Sequence, residues 1–187
     1  MADSGITKRA LAASLKELME EKPLEKISIS EICGRCGMHR KSFYYHFMDK
    51  YDLVNWIYDT EFLALAEERY GDDVGGWEYL HDLCYYLYDH RMFYRRALCY
   101  LGQNSFSEHF QERLRVVVST WIRRADLQEG WNEFQINFLA DGITFTIQQW
   151  IAKKDCMQPE EFLQNVKLCI KNLAVRVYEQ MEVAADP

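Results

Sequence analysis

The sequence contains little proline and little glycine, with three prolines and nine glycines among 187 residues. Because these two residue types interrupt helices most often, their scarcity favours long helices. The chain also lacks internal repeats, low-complexity tracts and the alternating pattern of strands. No apolar run approaches the length needed to cross a bilayer, and the N-terminus lacks a hydrophobic signal region. These absences predict an all-α cytoplasmic protein with no membrane partner.

Signatures of catalysis are missing as well. The sequence shows no nucleophile with a base, no paired-carboxylate site and no glycine-rich phosphate loop. Cys33 and Cys36 form a Cys-x-x-Cys pair without a second pair at useful spacing, so core packing is expected in preference to a metal site. His81, His90 and His109 fall on different predicted helices. We therefore expect no enzymatic activity, no cofactor and no metal, and six reduced cysteines.

The net charge is −7, an acidic balance that disfavours nucleic-acid binding unless the charge is unevenly distributed. Residues 1–54 hold 9 Lys and Arg against 8 Asp and Glu, whereas residues 55–187 hold 13 against 21. The acidic surplus therefore belongs to the C-terminal part, which need not touch DNA. A local basic footprint remains in one short segment, formed by Arg35, Arg40, Lys41 and Lys50.

Two short helices joined by a tight turn are predicted in the segment that begins at Ser28. Ser28 and Glu31 have the spacing of a capping box, which starts a helix. Gly37 lies where that helix would end in a left-handed conformation. Phe43 and Phe47, four residues apart, would hold one side of the second helix against a core. Such a pair is a helix-turn-helix unit, whose second helix enters the DNA major groove.

The run from Gly37 to Phe47 (GMHRKSFYYHF), followed by Lys50, resembles the signature of TetR-family transcriptional regulators. That signature is glycine, an aliphatic residue, three variable residues, Ser or Thr, an apolar residue, Tyr, any residue, His and Phe, then Lys. Met38 replaces the usual valine, Phe43 the usual leucine and Lys41 a common small residue, which leaves the predicted fold unchanged and the base preference open. The resemblance implies a three-helix head that binds a palindromic double-stranded DNA operator, on a larger helical body that forms a homodimer and binds an effector.

The resemblance also implies which residues contact DNA. Arg40, Lys41 and Ser42 fall at positions that face base edges or nearby phosphates, and Tyr44 and Lys50 fall where the family contacts phosphates. The full set of predicted DNA-binding residues is Ser28, His39, Arg40, Lys41, Ser42, Tyr44, Tyr45, His46 and Lys50.

Several of these residues have ordinary structural alternatives. Ser28 is first of all a helix cap, although a helix N-terminus can also hold a phosphate. His46 either binds the DNA backbone or packs between helices. Tyr44 taken alone suits half-buried packing, and Lys50 taken alone suits an ordinary surface position.

Periodic apolar residues predict a first helix over residues 7–21 and six helices beyond the helix-turn-helix, over residues 51–70, 77–90, 92–101, 105–125, 132–153 and 160–182. We expect a DNA-binding domain over residues 1–52. An effector-binding and dimerisation domain is expected over residues 53–187.

The last two predicted helices are apolar on more than one side, so that one face can build the core and another can meet a second copy. The alternative is a central helix buried within one chain. Gly142 weakens a helix interior relative to alanine, and close approach of another helix would explain it. The residues predicted at the dimer interface are Phe138, Gly142, Phe145, Trp150, Phe162, Val166, Ile170 and Leu173.

The body is rich in aromatic residues, and the family resemblance implies that such residues line an effector pocket. The predicted lining residues are Trp77, Tyr85, Tyr86, Phe93, Tyr100 and Trp121. An ordinary aromatic core is an equal alternative, because pockets are mostly apolar and look like core in a sequence.

A second resemblance lies near the C-terminus, in the run Asp141-Gly142-Ile143, in Trp150 and in a Pro-Glu-Glu helix start. These features resemble a subset of TetR-like regulators that includes relatives of the dihydroxyacetone-kinase operon activator. The resemblance implies an alternative form of control, in which the body binds a protein co-regulator instead of a small molecule.

Overall fold

A computed structural model of the chain describes residues 2–71, 75–100, 102, 104–124 and 132–183, with side chains described except at 2, 3, 122–124, 170 and 173–183. Every regular element in these residues is helical. Among them, no helix combines the length and the apolar character that a membrane span requires.

The helices follow one another along the chain with short connections. Their bounds are α1 (Ala2–Glu21), a 3₁₀ turn (Leu24–Lys26), α2 (Ile29–Arg35), α3 (Arg40–His46), α4 (Lys50–Tyr58), a π-helical turn (Asp59–Leu63), α5 (Ala64–Tyr70), α6 (Gly76–Asp89), α7 (Arg91–Leu98), α8 (Phe106–Arg124), α9 (Glu133–Ala152) and α10 (Pro159–Val183). The all-α prediction is confirmed, and so is the order of the helices.

Two helices differ from their predicted form. Helix α1 begins at Ala2 instead of Thr7, because the residues before Thr7 include Asp and Ser, which suit a first helical turn. The helix predicted over residues 51–70 is continuous but contains the π-helical turn Asp59–Leu63. A π-helical turn inserts one extra residue, and its hydrogen-bond pattern has no clear sequence signature.

The head consists of α1, α2 and α3 around a small apolar core. Leu11 and Leu15 of α1 are fully buried, as are Ile32 of α2 and Phe43 of α3. Phe47 completes this core with its ring 5.7 Å from that of Phe43. The predicted spacing of Phe43 and Phe47 is therefore confirmed as the buried side of the second helix of the pair.

The body is built around a dense aromatic core. Tyr58, Tyr94, Phe106 and Phe110 are each at most 1% exposed, and their ring centroids lie 5.1 to 6.3 Å apart in several pairs. Burial raises the pKa of the Tyr58 and Tyr94 phenols well above its ordinary value. Both phenols therefore stay neutral at physiological pH, as an apolar core requires.

Side chains of the body hold the head in place. The Lys16 ammonium of α1 lies 2.5 Å from the Glu61 carboxylate in the π-helical turn. Arg96 of α7 donates to the carbonyl oxygens of Met19 and Lys22, the latter at 2.9 Å. Met19 lies in the last turn of α1, where carbonyls lack partners within the helix, and Lys22 is the residue that follows α1, so Arg96 satisfies both carbonyls from the body.

Candidate nucleic-acid interface

Helix α2 begins and ends as the sequence predicts. The Ser28 hydroxyl accepts a hydrogen bond from the Glu31 amide at 3.3 Å, and the Glu31 carboxylate accepts one from the Ser28 amide at 2.9 Å. At the other end Gly37 adopts φ +67°, and the Met38 amide donates to the Cys33 carbonyl at 2.8 Å. A left-handed residue closed by such a bond is a Schellman-type helix end, which turns the chain sharply into α3.

Helix α3 presents a polar face to solvent. Arg40, Lys41, Tyr44 and Tyr45 are exposed, Tyr45 by 83%, while Phe43 on the opposite side is fully buried. This division follows from the helical period, because residues 41 and 45 lie opposite residue 43, and residues 40 and 44 lie on one flank between the two sides. The arrangement displays two cations and two phenols on one helix of seven residues.

Contacts within α3 begin to order this face. The Arg40 guanidinium donates to the Tyr44 hydroxyl at 3.4 Å and lies 5.9 Å from the centre of its ring. The Tyr45 and His46 rings meet edge to face at 4.8 Å. Arg40 keeps further N–H donors in a planar fork, and a fork of this kind pairs with the O6 and N7 atoms of guanine.

Of the other predicted contacts, His39 and Ser42 also lie beside this face. His39 is the exposed N-cap residue of α3 without a side-chain capping bond, and Ser42 is half-buried. Ser28 lies at the start of α2, where its hydroxyl also donates to the Glu31 carboxylate at 2.9 Å. The structure thus brings together His39 and the exposed residues of α3, whereas the hydroxyl of Ser28 is already engaged in capping.

The Glu31 carboxylate is the most strongly perturbed acid of the head. Its pKa falls from 4.5 to about 2, first because of the hydrogen bond from Lys22 and then because of the bonds from Ser28. The carboxylate is therefore ionised throughout the physiological range. Since it is held by Lys22 and Ser28, its negative charge is partly neutralised locally at the edge of the predicted DNA-binding face.

Lys50 is turned toward the protein, whereas the sequence predicts a phosphate contact for it. Its ammonium lies 2.8 Å from the Leu24 carbonyl oxygen, 3.0 Å from that of Glu25 and 2.8 Å from that of Ile27. The three acceptors belong to the 3₁₀ turn and the residue that follows it. Nothing in the sequence around Lys50 signals this contact, because the partners lie 23 to 26 residues earlier.

The structure does not gather the six residues predicted to line an effector pocket. Tyr86 and Phe93 belong to the packed interior, where the Tyr86 hydroxyl lies 2.7 Å from that of Tyr94. Tyr100 stacks at 4.0 Å on Tyr51 at the start of α4. These contacts are ring-to-ring or hydroxyl-to-hydroxyl, as in a core, because the rings fill the space between the helices themselves.

The remaining three predicted lining residues lie near the surface. Tyr85 is 38% exposed, with its ring tilted against that of His81 at 4.5 Å between centroids, and Trp121 is 39% exposed. Trp77 lines an open cleft of about 320 Å³ between α5, α6 and α10. The Lys167 ammonium lies 4.7 Å above the Trp77 ring and covers one face of it.

Helix α9 carries an apolar stripe that faces away from the chain. Phe134, Phe138 and Phe145 are 75%, 69% and 61% exposed. With Gly142 they form what we call the phenylalanine face; a Cβ at Gly142 would meet no side chain of the described residues within 4 Å. These four residues fall on one side of a helix of period 3.6. Three of them are predicted interface residues; Phe134 is not, although it lies four residues before Phe138 in the sequence.

The other residues predicted at a dimer interface lie elsewhere. Trp150 and Phe162 are 3% and 6% exposed and stack on each other at 4.3 Å inside the chain. Val166 is half-buried against the same core. The side chains of Ile170 and Leu173 lie outside the described residues. Trp150 and Phe162 therefore contribute to the fold of one chain, because they leave almost no surface for a second copy.

A polar cluster that the sequence does not predict connects the π-helical turn to α8. The Asp59 carboxylate lies 2.7 Å from Nε2 of His109 and 3.2 Å from the Arg113 guanidinium. Glu61, two residues later, contacts Lys16 and accepts from the Tyr86 hydroxyl at 3.3 Å. One turn of helix thus contacts both α1 of the head and α8 of the body. Only the tertiary fold brings these residues together.

Two family profiles match the chain. One, described as bacterial regulatory proteins of the tetR family, matches residues 7–57, and another, described as a transcriptional regulator C-terminal region, matches residues 77–172. A curated relative from Lactococcus lactis, the HTH-type dhaKLM operon transcriptional activator DhaS, is 27% identical over 145 residues, which is 74% of each chain. Both profiles describe transcriptional regulators, and this relative is a transcriptional regulator and not an enzyme.

Solved structures share the fold. The dihydroxyacetone kinase operon activator DhaS is 21% identical, with a TM-score of 0.63, over 91% of this chain and 97% of its own. A TetR transcriptional regulator from Streptococcus agalactiae 2603V is 22% identical, with a TM-score of 0.65, over 88% of this chain and 93% of its own. NalD, the secondary repressor of the MexAB-OprM efflux pump of Pseudomonas aeruginosa, has a TM-score of 0.58 at 19% identity over 87% and 92%.

Proposed function

The chain belongs to the TetR family of transcriptional regulators, and from this membership we propose that it binds a palindromic DNA operator as a homodimer under the control of an effector. The observation that carries the proposal is the exposed polar face of α3. Its cations and phenols point to solvent while Phe43 and Phe47 anchor the helix from behind. A helix held in this way can enter a major groove without disturbing the core of the head.

Four of the predicted contacts, all on α3, contact DNA directly in this proposal. Arg40 and Lys41 read base edges or pair with adjacent phosphates, and Tyr44 donates its hydroxyl to a phosphate. Tyr45 is 83% exposed and its ring contacts that of His46, so it is available to a base or to the sugar-phosphate backbone. Phosphate contacts position the helix and base contacts give specificity. The boundary between the DNA-binding and effector domains, placed at residues 52 and 53, would lie within α4.

Dimerisation through the phenylalanine face is the second part of the proposal. Three aromatic side chains in a row are exposed on one helix, although burying them would be favourable. A second copy related by a twofold axis would cover them with the same residues. Gly142 at the middle of the stripe would let two α9 helices approach closely, a role consistent with the open space beside it. Two heads in a fixed relation can then contact two half-sites.

Control by the body requires that α3 respond to events elsewhere in the chain. The π-helical turn offers a route, because Asp59 binds His109 and Arg113 of α8 while Glu61 binds Lys16 of α1. An effector that displaces α8 would pull on Asp59 and, through Glu61, on the head. Such an effector shifts the balance between head spacings that fit and do not fit the operator.

Control by a protein co-regulator is the second candidate function. The predicted pocket residues are dispersed, and those in the interior are packed ring against ring. The cleft beside Trp77 is open to solvent and has a charged rim. A surface of this kind suits a macromolecule at least as well as a small apolar ligand. The similar protein DhaS is a transcriptional activator of an operon, which is compatible with either form of control.

The test of operator binding is selection from a pool of random duplexes by the purified protein, followed by sequencing. We expect an enriched palindrome with half-sites about one helical turn apart. Absence of enrichment from protein shown to be folded would contradict the proposal.

Once the operator is known, a second experiment distinguishes the two kinds of effector. A cell extract is divided by ultrafiltration into a low-mass fraction and a protein fraction, and each fraction is added to the complex of the protein with its operator. Loss or gain of binding caused by the low-mass fraction favours a small effector. The same effect from the protein fraction favours a co-regulator.

A further inference from the structure

Lys50 opens α4 with its ammonium enclosed by three main-chain carbonyl oxygens. The distances to the carbonyls of Leu24, Glu25 and Ile27 are 2.8, 3.0 and 2.8 Å. A lysine ammonium has three N–H donors and no acceptor. All three donors are therefore used within the head, and none is left over for a phosphate while this arrangement persists. We call these three carbonyls with the ammonium the lysine cage.

The position of Lys50 in its helix is electrostatically unfavourable without the cage. A helix N-terminus carries a partial positive charge, so a cation at the first residue is repelled by the helix dipole. Burial also disfavours the charge and lowers the pKa of the Lys50 ammonium, while Glu25 and Asp49 oppose that shift. The carbonyls supply the compensation, since charge-assisted hydrogen bonds are about twice as strong as neutral ones.

The lysine cage connects the segments that hold the reading helix. On one side lies the 3₁₀ turn, which leads from Ile27 directly into the Ser28 cap of α2. On the other side lies the start of α4, where the Asp49 carboxylate caps the Tyr51 amide at 2.8 Å immediately after the end of α3. Helix α3 runs between these two points. The cage therefore closes a loop of chain that contains the whole helix-turn-helix.

We propose that Lys50 is a positioning residue, which fixes α2 and α3 relative to α4 and does not itself bind a phosphate. The proposal rests on the proposed DNA-binding function and replaces the phosphate contact that the family resemblance implies for this residue. Because α4 is continuous through the π-helical turn with the body, the lysine cage also transmits movements of the body to the reading helix.

The two roles of Lys50 predict different effects on DNA binding. A phosphate contact displaces counterions, so its loss weakens binding to every duplex and reduces the salt dependence by about one charge. A positioning residue does not contact a phosphate and therefore displaces no counterions. Its loss misplaces base-reading side chains, so binding to the selected operator suffers while binding to unrelated DNA and the slope against salt stay as they were.

The experiment compares four proteins: wild type, Lys50→Met, Lys50→Arg and Lys26→Met. Lys26 is a matched control because it is an exposed cation of the same 3₁₀ turn. Affinity for the selected operator and for an unrelated duplex is measured over a series of salt concentrations, on protein whose helicity equals that of wild type. Lys50→Arg keeps the charge but replaces the compact ammonium by a planar fork that does not fit three converging carbonyls.

For Lys50→Met we expect a loss of about tenfold or more on the operator, as expected when bases are misread, with an unchanged salt slope and little loss on unrelated DNA. Lys50→Arg is expected to show part of the same loss, and Lys26→Met is expected to bind the operator more tightly than Lys50→Met. Equal losses on both duplexes with a shallower slope, full activity of Lys50→Arg, or wild-type operator affinity of Lys50→Met would each overturn the proposal.

A second readout needs no DNA. The Ile27 amide donates to the Leu24 carbonyl at 3.1 Å, so its hydrogen exchange reports on the turn that the ammonium holds. We expect faster exchange at Ile27 in Lys50→Met than in Lys26→Met, and equal rates would contradict the lysine cage. If wild type binds no duplex, the proposed function fails, whereas the exchange result still decides whether Lys50 holds the turn.

Discussion

Removal of one phenylalanine from the phenylalanine face is expected to dissociate the proposed dimer. The perturbation is Phe138→Ala in the second turn of α9. Phe138 is 69% exposed in the isolated chain. Its side chain has an area of about 200 Å², so burying the exposed part removes about 140 Å² from water. At about 25 cal/mol per Å² this contributes about 3.5 kcal/mol per copy, or about 7 kcal/mol in a symmetric dimer if burial is complete.

Incomplete burial and relaxation reduce that figure, so we expect a loss of about 3 to 7 kcal/mol of dimer stability. This corresponds to a rise in the dimer Kd by a factor of roughly 10² to 10⁵. The folded chain should be unaffected, because Phe138 points away from its own core. Helicity and thermal unfolding of the dissociated protein provide that check.

The assay is sedimentation equilibrium over a wide range of protein concentrations, paired with operator binding. Leu65→Ala is the matched control, since Leu65 is 61% exposed on α5 and equally apolar. The reasoning is refuted if Phe138→Ala keeps the wild-type dimer Kd, or if Leu65→Ala dissociates the dimer to the same extent.

Three further substitutions test separate contacts. Arg40→Ala should weaken operator binding by about 1–3 kcal/mol and relax base preference at one position of each half-site; equal losses on all single-base variants of the operator would remove Arg40 from base reading. Arg96→Met leaves the partly buried carbonyls of Met19 and Lys22, at the end of α1, without their partner, so denaturant unfolding should show a loss of about 1–3 kcal/mol of stability. An unchanged midpoint would mean that water replaces the guanidinium. The pKa of Glu31 in the folded chain is lowered from 4.5 to about 2, so the stabilising effect of its carboxylate is present above pH 4.5 and disappears as the pH falls toward 2. Unfolding at a series of pH values should show that the difference in stability between wild type and Glu31→Gln shrinks across that window. A constant difference would contradict the lowered pKa of Glu31.

The parts of the head that the sequence predicts are those specified by neighbouring residues. The capping box of Ser28 and Glu31, the left-handed Gly37 and the buried pair Phe43 and Phe47 each depend on spacings of a few residues, and all are present. Local hydrogen bonds and helical period determine these features. They can be recognised from the sequence even without the resemblance to a family.

The features that the sequence does not predict depend on contacts between distant segments. The lysine cage joins Lys50 to carbonyls far earlier in the chain, and main-chain acceptors leave no trace in the sequence. The sequence predicts that Trp150 and Phe145 both lie at a dimer interface, although Trp150 is buried within the chain and Phe145 is exposed. A helix that is apolar on two sides has no internal sign of which side meets its own chain.

The aromatic body illustrates the same limit. Tyr86, Phe93 and Tyr100 were predicted to line one pocket, because aromatic richness is common to pockets and cores. Whether such rings surround a space or fill it depends on how closely the helices approach. In this chain the Tyr86 and Tyr94 hydroxyls meet each other, and Tyr100 packs against Tyr51.

The most direct test of a dimer that reads DNA through two α3 helices is the dependence of binding on half-site spacing. The selected operator is compared with a version in which about five base pairs, half a helical turn, are inserted between the half-sites. The account predicts that the insertion reduces affinity to the level of a single half-site, because the second α3 then faces the wrong side of the duplex. Equal affinity for both duplexes would contradict the account, since it would mean that the two heads do not bind as one rigid unit.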